Sequence, residues 1–112
     1  MSERLAAALA SIAGRAGPAV DVALILGSGL GRLADAVEAP VTIPYDEIAG
    51  FPVSTAPGHA GRLVIGRLHG RRVALMQGRL HLYEGLAPGD IALAVRLLHR
   101  LGAQRLVPVK LR

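Results

Sequence analysis

The sequence predicts an α/β fold, a mixed central β-sheet flanked by helices, and three observations predict it. Residues 20–26 are a nearly continuous apolar run, the composition of a strand buried on both faces. Residues 62–68 and 71–77 are two β-type runs around His69-Gly70, the pattern of a hairpin with a two-residue turn ending in glycine. Ile91, Ala92, Val95, Leu98 and Leu101 recur at helical spacing before Gly102, and Leu106-Val107 then starts another strand. Helix followed by strand is the rhythm of an α/β protein.

The remaining elements follow in chain order. Leu5, Leu9, Ile12 and Ala13 fall at helical spacing and predict an amphipathic leading helix, broken by Gly14, Gly17 and Pro18. The first strand ends at Gly27-Ser28-Gly29-Leu30-Gly31, and the stretch from there to Val37 has room for a short helix. Residues 40–61 are rich in Pro, Gly, Ser and Thr; a short strand is predicted at 41–45, and 52–61 read as loop. A second loop covers 78–87. Pro88 stands where a helix can begin, and Gly102 is placed to close that helix as its C′ residue. Pro108 would remove a ladder donor from the strand that follows.

Composition removes several classes of function. The chain has 112 residues, enough for one domain at most, and its apolar content of 52% excludes an intrinsically disordered protein. No apolar run reaches the roughly 18–20 residues of a membrane span. There is no cysteine, hence no disulfide framework and no thiolate chemistry. The first residues are Ala-rich but interrupted by Glu3 and Arg15, without the continuous apolar core of a signal peptide, so a cytoplasmic protein is expected. The net charge of +5 invites a nucleic-acid partner. Against it, the basic residues are nearly all Arg, spread from Arg4 to Arg112, and form no stripe interleaved with aromatics.

Three clusters could carry chemistry. The strand leading into Gly27-Ser28-Gly29-Leu30-Gly31 offers backbone N–H groups and one hydroxyl to an anion, with no bulky side chain in the way. Arg32 stands where a dinucleotide fingerprint needs Gly or Ala, and the Gly-Lys-Ser/Thr of a Walker A loop is absent. Alone, this cluster fits a tight strand-to-helix turn equally well. The second, Gly58-His59-Ala60-Gly61, puts a histidine between small residues in a polar loop, where the plain alternative is a solvated side chain. The third is Gln77-Gly78-Arg79-Leu80-His81-Leu82-Tyr83-Glu84-Gly85, at the carboxyl end of a predicted strand, where open α/β sheets bind ligands.

In an extended segment Arg79, His81 and Tyr83 alternate onto one face. Arginine holds phosphate bidentately, histidine donates to phosphate or sugar oxygens, and tyrosine packs on a sugar ring and hydrogen-bonds through its hydroxyl. An exposed strand face with ordinary polar residues is the alternative. The histidine spacings match no zinc pattern, so no metal is expected. His69 and His99 read as surface residues.

Taken together, Ser28 in GSGLG, His59 in FPVSTAPGHAG and the run MQGRLHLYEG, with DIALAVRLLHRLG before a new strand, resemble the trimeric-type purine nucleoside phosphorylases. The resemblance runs from about residue 22 to residue 107. The related methylthioadenosine phosphorylases usually carry a Gly-Thr-Gly form of the glycine loop, so Ser28 favours the purine nucleoside branch. Leu80 stands where Phe is usual, and Leu86 where an aromatic is common.

The resemblance implies reversible phosphorolysis of purine (deoxy)ribonucleosides to free base and (deoxy)ribose 1-phosphate, in a nucleoside phosphorylase fold. It assigns Ser28, His59, Arg79, Leu80 and His81 to phosphate, Tyr83 to the ribose and Glu84 to anchoring the loop, with His81 catalytic because it serves phosphate and sugar together. It implies no cofactor, inorganic phosphate being the co-substrate, and a homotrimer for the full-length family. The partners are purine nucleoside and phosphate, with neither nucleic acid nor membrane. Family members continue the last strand into a Thr-Asn-Ala-Ala-Gly-Gly loop, where this sequence reads Pro108-Val109-Lys110-Leu111-Arg112. Residues 1–112 are therefore expected to be the N-terminal part of a single phosphorylase domain, with 108–112 out of pattern. Such a chain would hold a phosphate half-site and part of a ribose site, and would be inactive alone. The alternative is a non-enzymatic phosphate- or nucleotide-binding fragment, or a half-subunit that needs a separately encoded partner.

Overall fold

The computed structural model describes residues 2–26, 31–51, 61–77 and 88–109. In chain order they form α1 (Glu3–Ala16), β1 (Val22–Leu26), α2 (Gly31–Asp35), β2 (Glu38–Pro44), a 3₁₀ turn (Tyr45–Glu47), β3 (Arg62–Leu68), β4 (Arg71–Gln77), α3 (Pro88–Arg100) and β5 (Arg105–Val109). The strands make one sheet in the order β2-β3-β4-β1-β5. The pairs β2–β3 and β3–β4 are antiparallel, and β1 runs parallel to both β4 and β5. The sheet is mixed and flanked by helices, as the sequence predicts.

The sheet divides the core by the two-residue alternation of its strands. Ala23, Ile43, Leu63, Ile65, Ala74 and Met76 face one side, where α1 and α3 cover them with Leu5, Ala8, Ile12, Leu93, Ala94, Leu97 and Leu98. Leu26, Val64, Val73 and Leu75 face the other side, against Ala34 and Val37 in and just after α2. Cover on this second side is thinner, and Val22 and Leu24 of β1 are only half-buried there. Strand β1 still meets core on both faces, as its apolar run predicts, with Ala23 buried on one side and Leu26 on the other. Within β1, Val22 and Leu24 are half-buried on the side of the five-residue α2, and Ile25 is half-buried on the side of α1 and α3.

The leading helix starts where Ser2 accepts a hydrogen bond from the Leu5 N–H at 3.1 Å, with Glu3 in its first turn and Arg15 in its last, both favourable to the helix dipole. Its buried face is Leu5, Ala8, Ile12 and Ala16, whereas Leu9 is half-buried and Ala13 exposed. Gly14 does not break it. Nothing lies within 4 Å of where its Cβ would stand, so it costs only its weak helix propensity, about 1 kcal/mol against Ala. The helix stops at Gly17, whose φ is +69°.

The hairpin forms as predicted. His69 and Gly70 have φ of +52° and +79°, the two positive values of the type I′ turn that suits twisted strands. Helix α3 also keeps its predicted limits. The Ala103 N–H bonds to the Leu98 carbonyl and the Gly102 N–H to that of His99, a Schellman close around Gly102. Leu98 is buried and Leu101 packs against the core as predicted, whereas Leu93, Ala94 and Leu97 complete the buried face and Val95 is 40% exposed.

Strand β2 is longer than the predicted 41–45. It begins at Glu38, passes a register irregularity before Val41 and yields Tyr45 to the 3₁₀ turn. Two prolines fit within it because it is an edge strand. Strand β5, the other edge, carries Pro108 in register with Ile25.

Candidate functional site

Strand register brings several chain ends to one rim of the sheet. Leu26, the last residue of β1, lies opposite Gln77, the last of β4, and opposite Val109, the last of β5. Gln77 also faces Arg62, the first residue of β3, which in turn faces Pro44 at the end of β2. The carboxyl ends of all three parallel strands thus share this rim, the place where open α/β sheets bind ligands. The stretches 27–30, 52–60 and 78–87 adjoin Leu26, Gly61 and Gln77 respectively, so each joins the sheet there.

All the residues that the sequence singles out, Ser28, His59, Arg79, Leu80, His81, Tyr83 and Glu84, lie outside the described residues. What the described residues fix is the frame from which their segments depart. His69 and His99 are exposed, as expected.

Two further residues build this rim. The Arg62 Nε donates to Gln77 Oε1 at 2.6 Å, tying the start of β3 to the end of β4. Sequence reasoning passed over the pair, although a turn centred on 69–70 places 62 opposite 77. Tyr45 is the second. Its N–H donates to the Gly61 carbonyl at 3.0 Å, and its ring meets Phe51 with centroids 5.3 Å apart at a 56° tilt. The Tyr45 hydroxyl is buried without a hydrogen-bond partner among the described residues. An unsatisfied buried polar group costs about 1–3 kcal/mol. Burial also raises the phenol's pKa well above the ordinary tyrosine value, since the phenolate would lose its hydration. Sequence reasoning took Tyr45 only as a strand end.

Several arginines have partners within the chain. Arg72 donates from Nε to the Pro18 carbonyl and from Nη2 to that of Ala16, each at 3.1 Å, so it caps the carboxyl end of α1. Arg4 donates to the Gly50 carbonyl at 2.8 Å, and Arg15 pairs with Glu47 at 2.6 Å. Among the described residues, no helix is long and apolar enough to cross a membrane.

A mixed five-stranded sheet flanked by helices, with its parallel carboxyl ends gathered at one rim, defines an α/β protein, and its family is narrower than that. Residues 21–109 match the family model of the phosphorylase superfamily, and the chain belongs to that superfamily. The purine nucleoside phosphorylase 1 of Geobacillus stearothermophilus is 51% identical over 86 residues, covering 77% of this chain and 31% of the relative. Its counterpart in Bacillus subtilis is 46% identical over 107 residues, covering 96% of this chain and 40% of the relative. Among solved structures, isoform 2 of purine nucleoside phosphorylase from Schistosoma mansoni, in complex with cytosine and ribose-1-phosphate, superposes with a TM-score of 0.89 at 40% identity. That match covers 97% of this chain and 38% of the Schistosoma chain. The chain therefore spans between 31% and 40% of the length of these relatives.

Proposed function

We propose that this chain carries the phosphate-binding part of a purine nucleoside phosphorylase, whose reaction is reversible phosphorolysis of purine (deoxy)ribonucleosides. One observation carries the reading: the segments bearing Ser28, His59 and the Arg79–Tyr83 run all adjoin one rim of the sheet, at the carboxyl ends of its parallel strands. The names of its relatives, and the ribose-1-phosphate bound by the Schistosoma enzyme, point the same way.

In this reading phosphate is held by the hydroxyl of Ser28, the imidazoles of His59 and His81, the guanidinium of Arg79 and the backbone around Leu80. Tyr83 meets the ribose and Glu84 anchors the loop. A phosphate oxygen forms a bond to the sugar's anomeric carbon as the bond to the purine nitrogen breaks. The electron pair leaves with the base, which takes up a proton. Charge builds up on an oxocarbenium-like sugar lying over the phosphate dianion, so positioning and electrostatics supply most of the acceleration. Inorganic phosphate is co-substrate and no cofactor is needed. By the same resemblance the full-length protein works as a cytoplasmic homotrimer, with neither nucleic acid nor membrane as partner.

The 112 residues are expected to bind phosphate without turning over nucleoside. Titration calorimetry with inorganic phosphate tests this. Wild-type chain should show saturable binding and Arg79→Ala should abolish it; unchanged binding in the variant would sink the assignment. Release of hypoxanthine from inosine by this chain alone would overturn the expected inactivity.

A further inference from the structure

The two edges of the sheet are built differently. Edge strand β2 carries Glu38, Pro40 and Pro44 and passes a register irregularity, features that discourage a further strand from pairing there. Edge strand β5 has one such feature, Pro108, and otherwise reads Arg105-Leu106-Val107 and Val109. The large apolar side chains exposed among the described residues are Val95, Leu106 and Val107, and all three belong to β5 and α3. Val109 packs with the cluster on the α2 side, so strand alternation turns Val107 to that side and Leu106 toward α3. Strand β5 therefore offers apolar surface on both faces.

Between Leu106 and α3 lies a groove of about 150 Å³, lined by Val95, Leu98, Ala103 and Leu106 with the exposed His99 and Arg105 beside them. That volume takes one benzene-sized group and falls below the roughly 300–1,000 Å³ of small-molecule pockets. An open ladder, apolar side chains on both faces and room for one apolar side chain fit an added β-strand. A second copy of this chain is a poor occupant. Pairing β5 with β5 would bring the exposed Arg96, Arg100 and Arg105 of one copy toward the same residues of the other, and like charges oppose association. The relatives supply a better one, since the chain spans only 31% to 40% of their length.

We propose that the β5–α3 edge is an interaction surface whose occupant is the rest of a phosphorylase domain, bound as a separate polypeptide that adds a strand to β5. The inference rests on the phosphorylase reading, but its surface is described throughout. The 112 residues close their own core between the sheet and α1 and α3, so the surface is formed before the partner arrives. The added strand places an apolar side chain in the groove against Leu106, a second over Val107 and an acidic one near Arg105.

The test co-expresses the tagged chain with the part of the Bacillus subtilis relative that lies outside the stretch it shares with this chain. That piece should be recovered with the chain in equal amount. The amides of Leu106, Val107 and Val109 should exchange at least about tenfold more slowly in the complex than in the free chain. Leu106→Arg and Val107→Arg, both at exposed positions, should leave the melting temperature of the free chain unchanged, and each should cut recovery of the piece about tenfold. Thr42→Arg, exposed on the opposite edge, should leave recovery as in wild type. No recovery of the piece, or the same loss with Thr42→Arg, would overturn the surface. So would a dimer of the chain alone, seen by sedimentation equilibrium and abolished by Leu106→Arg, because a second copy would then be the occupant. Phosphate titration of the same samples separates this inference from the reading beneath it. A β5-dependent complex that binds no phosphate supports the surface and counts against the phosphate site; phosphate binding by a chain that captures nothing does the reverse.

Discussion

Strands β4 and β5 flank the same strand, run parallel to it and pair with the same five residues, yet their surroundings are opposite. Val73, Ala74, Leu75 and Met76 of β4 are buried, the last three fully so. In β5, Leu106 and Val107 are 40% and 39% exposed. Backbone pairing is therefore not what separates them. Strand β4 is sandwiched between β1 and β3, with helices and side chains over both faces, whereas β5 has β1 on one side only. A strand gains its stability from neighbours on its faces and its far edge, and the ladder alone supplies little of it.

The largest expected effect contrasts the two strands directly. Leu75→Ala should destabilise the chain by about 2–5 kcal/mol, the usual range for a fully buried leucine that leaves a cavity. Leu106→Ala should cost less than about 1 kcal/mol, in proportion to the smaller area it keeps from water. Urea denaturation of both variants measures this, and equal losses would break the comparison. A finer test is residue-resolved hydrogen exchange. The amides of Leu106, Val107 and Val109 should exchange through local opening well below the global unfolding free energy, while those of β4 should report global unfolding. Strong protection at these three amides would count against β5 as the weak strand.

The sequence made the hairpin legible to the residue, because a glycine-ending pair between two β-type runs leaves one register open to it. It also marked both limits of α3, since Pro88 and Gly102 act locally. The buried face of α3 was legible at Leu98 and Leu101 and not in its first turns. Residues 91–95 are all apolar, so the 3.6-residue period fits more than one phase. Contact with α1 and the sheet selects Leu93 and Ala94 over Val95. The start of β2 was hidden by Pro40, which argues against a strand unless that strand is known to be an edge. At the rim, the motifs around Ser28, His59 and Arg79 could be read as residue types in order. Tyr45 and Arg62 could not, because their roles depend on what the fold sets beside them.

The two positive φ values at His69 and Gly70 also bear on how the sheet is assembled in time. The β3–β4 ladder closes across two residues, whereas β1 must find β4 and β5 across long stretches of sequence. Loop-closure entropy rises with the length enclosed, so the hairpin is the cheapest pairing to nucleate and the parallel pairs come later. A substitution that strains the turn, Gly70→Val, should therefore slow refolding, while Leu106→Ala should chiefly speed unfolding. Stopped-flow chevrons of the two variants would show opposite limbs moving. The edge strand that is last to be covered in space would then be last to arrive in folding.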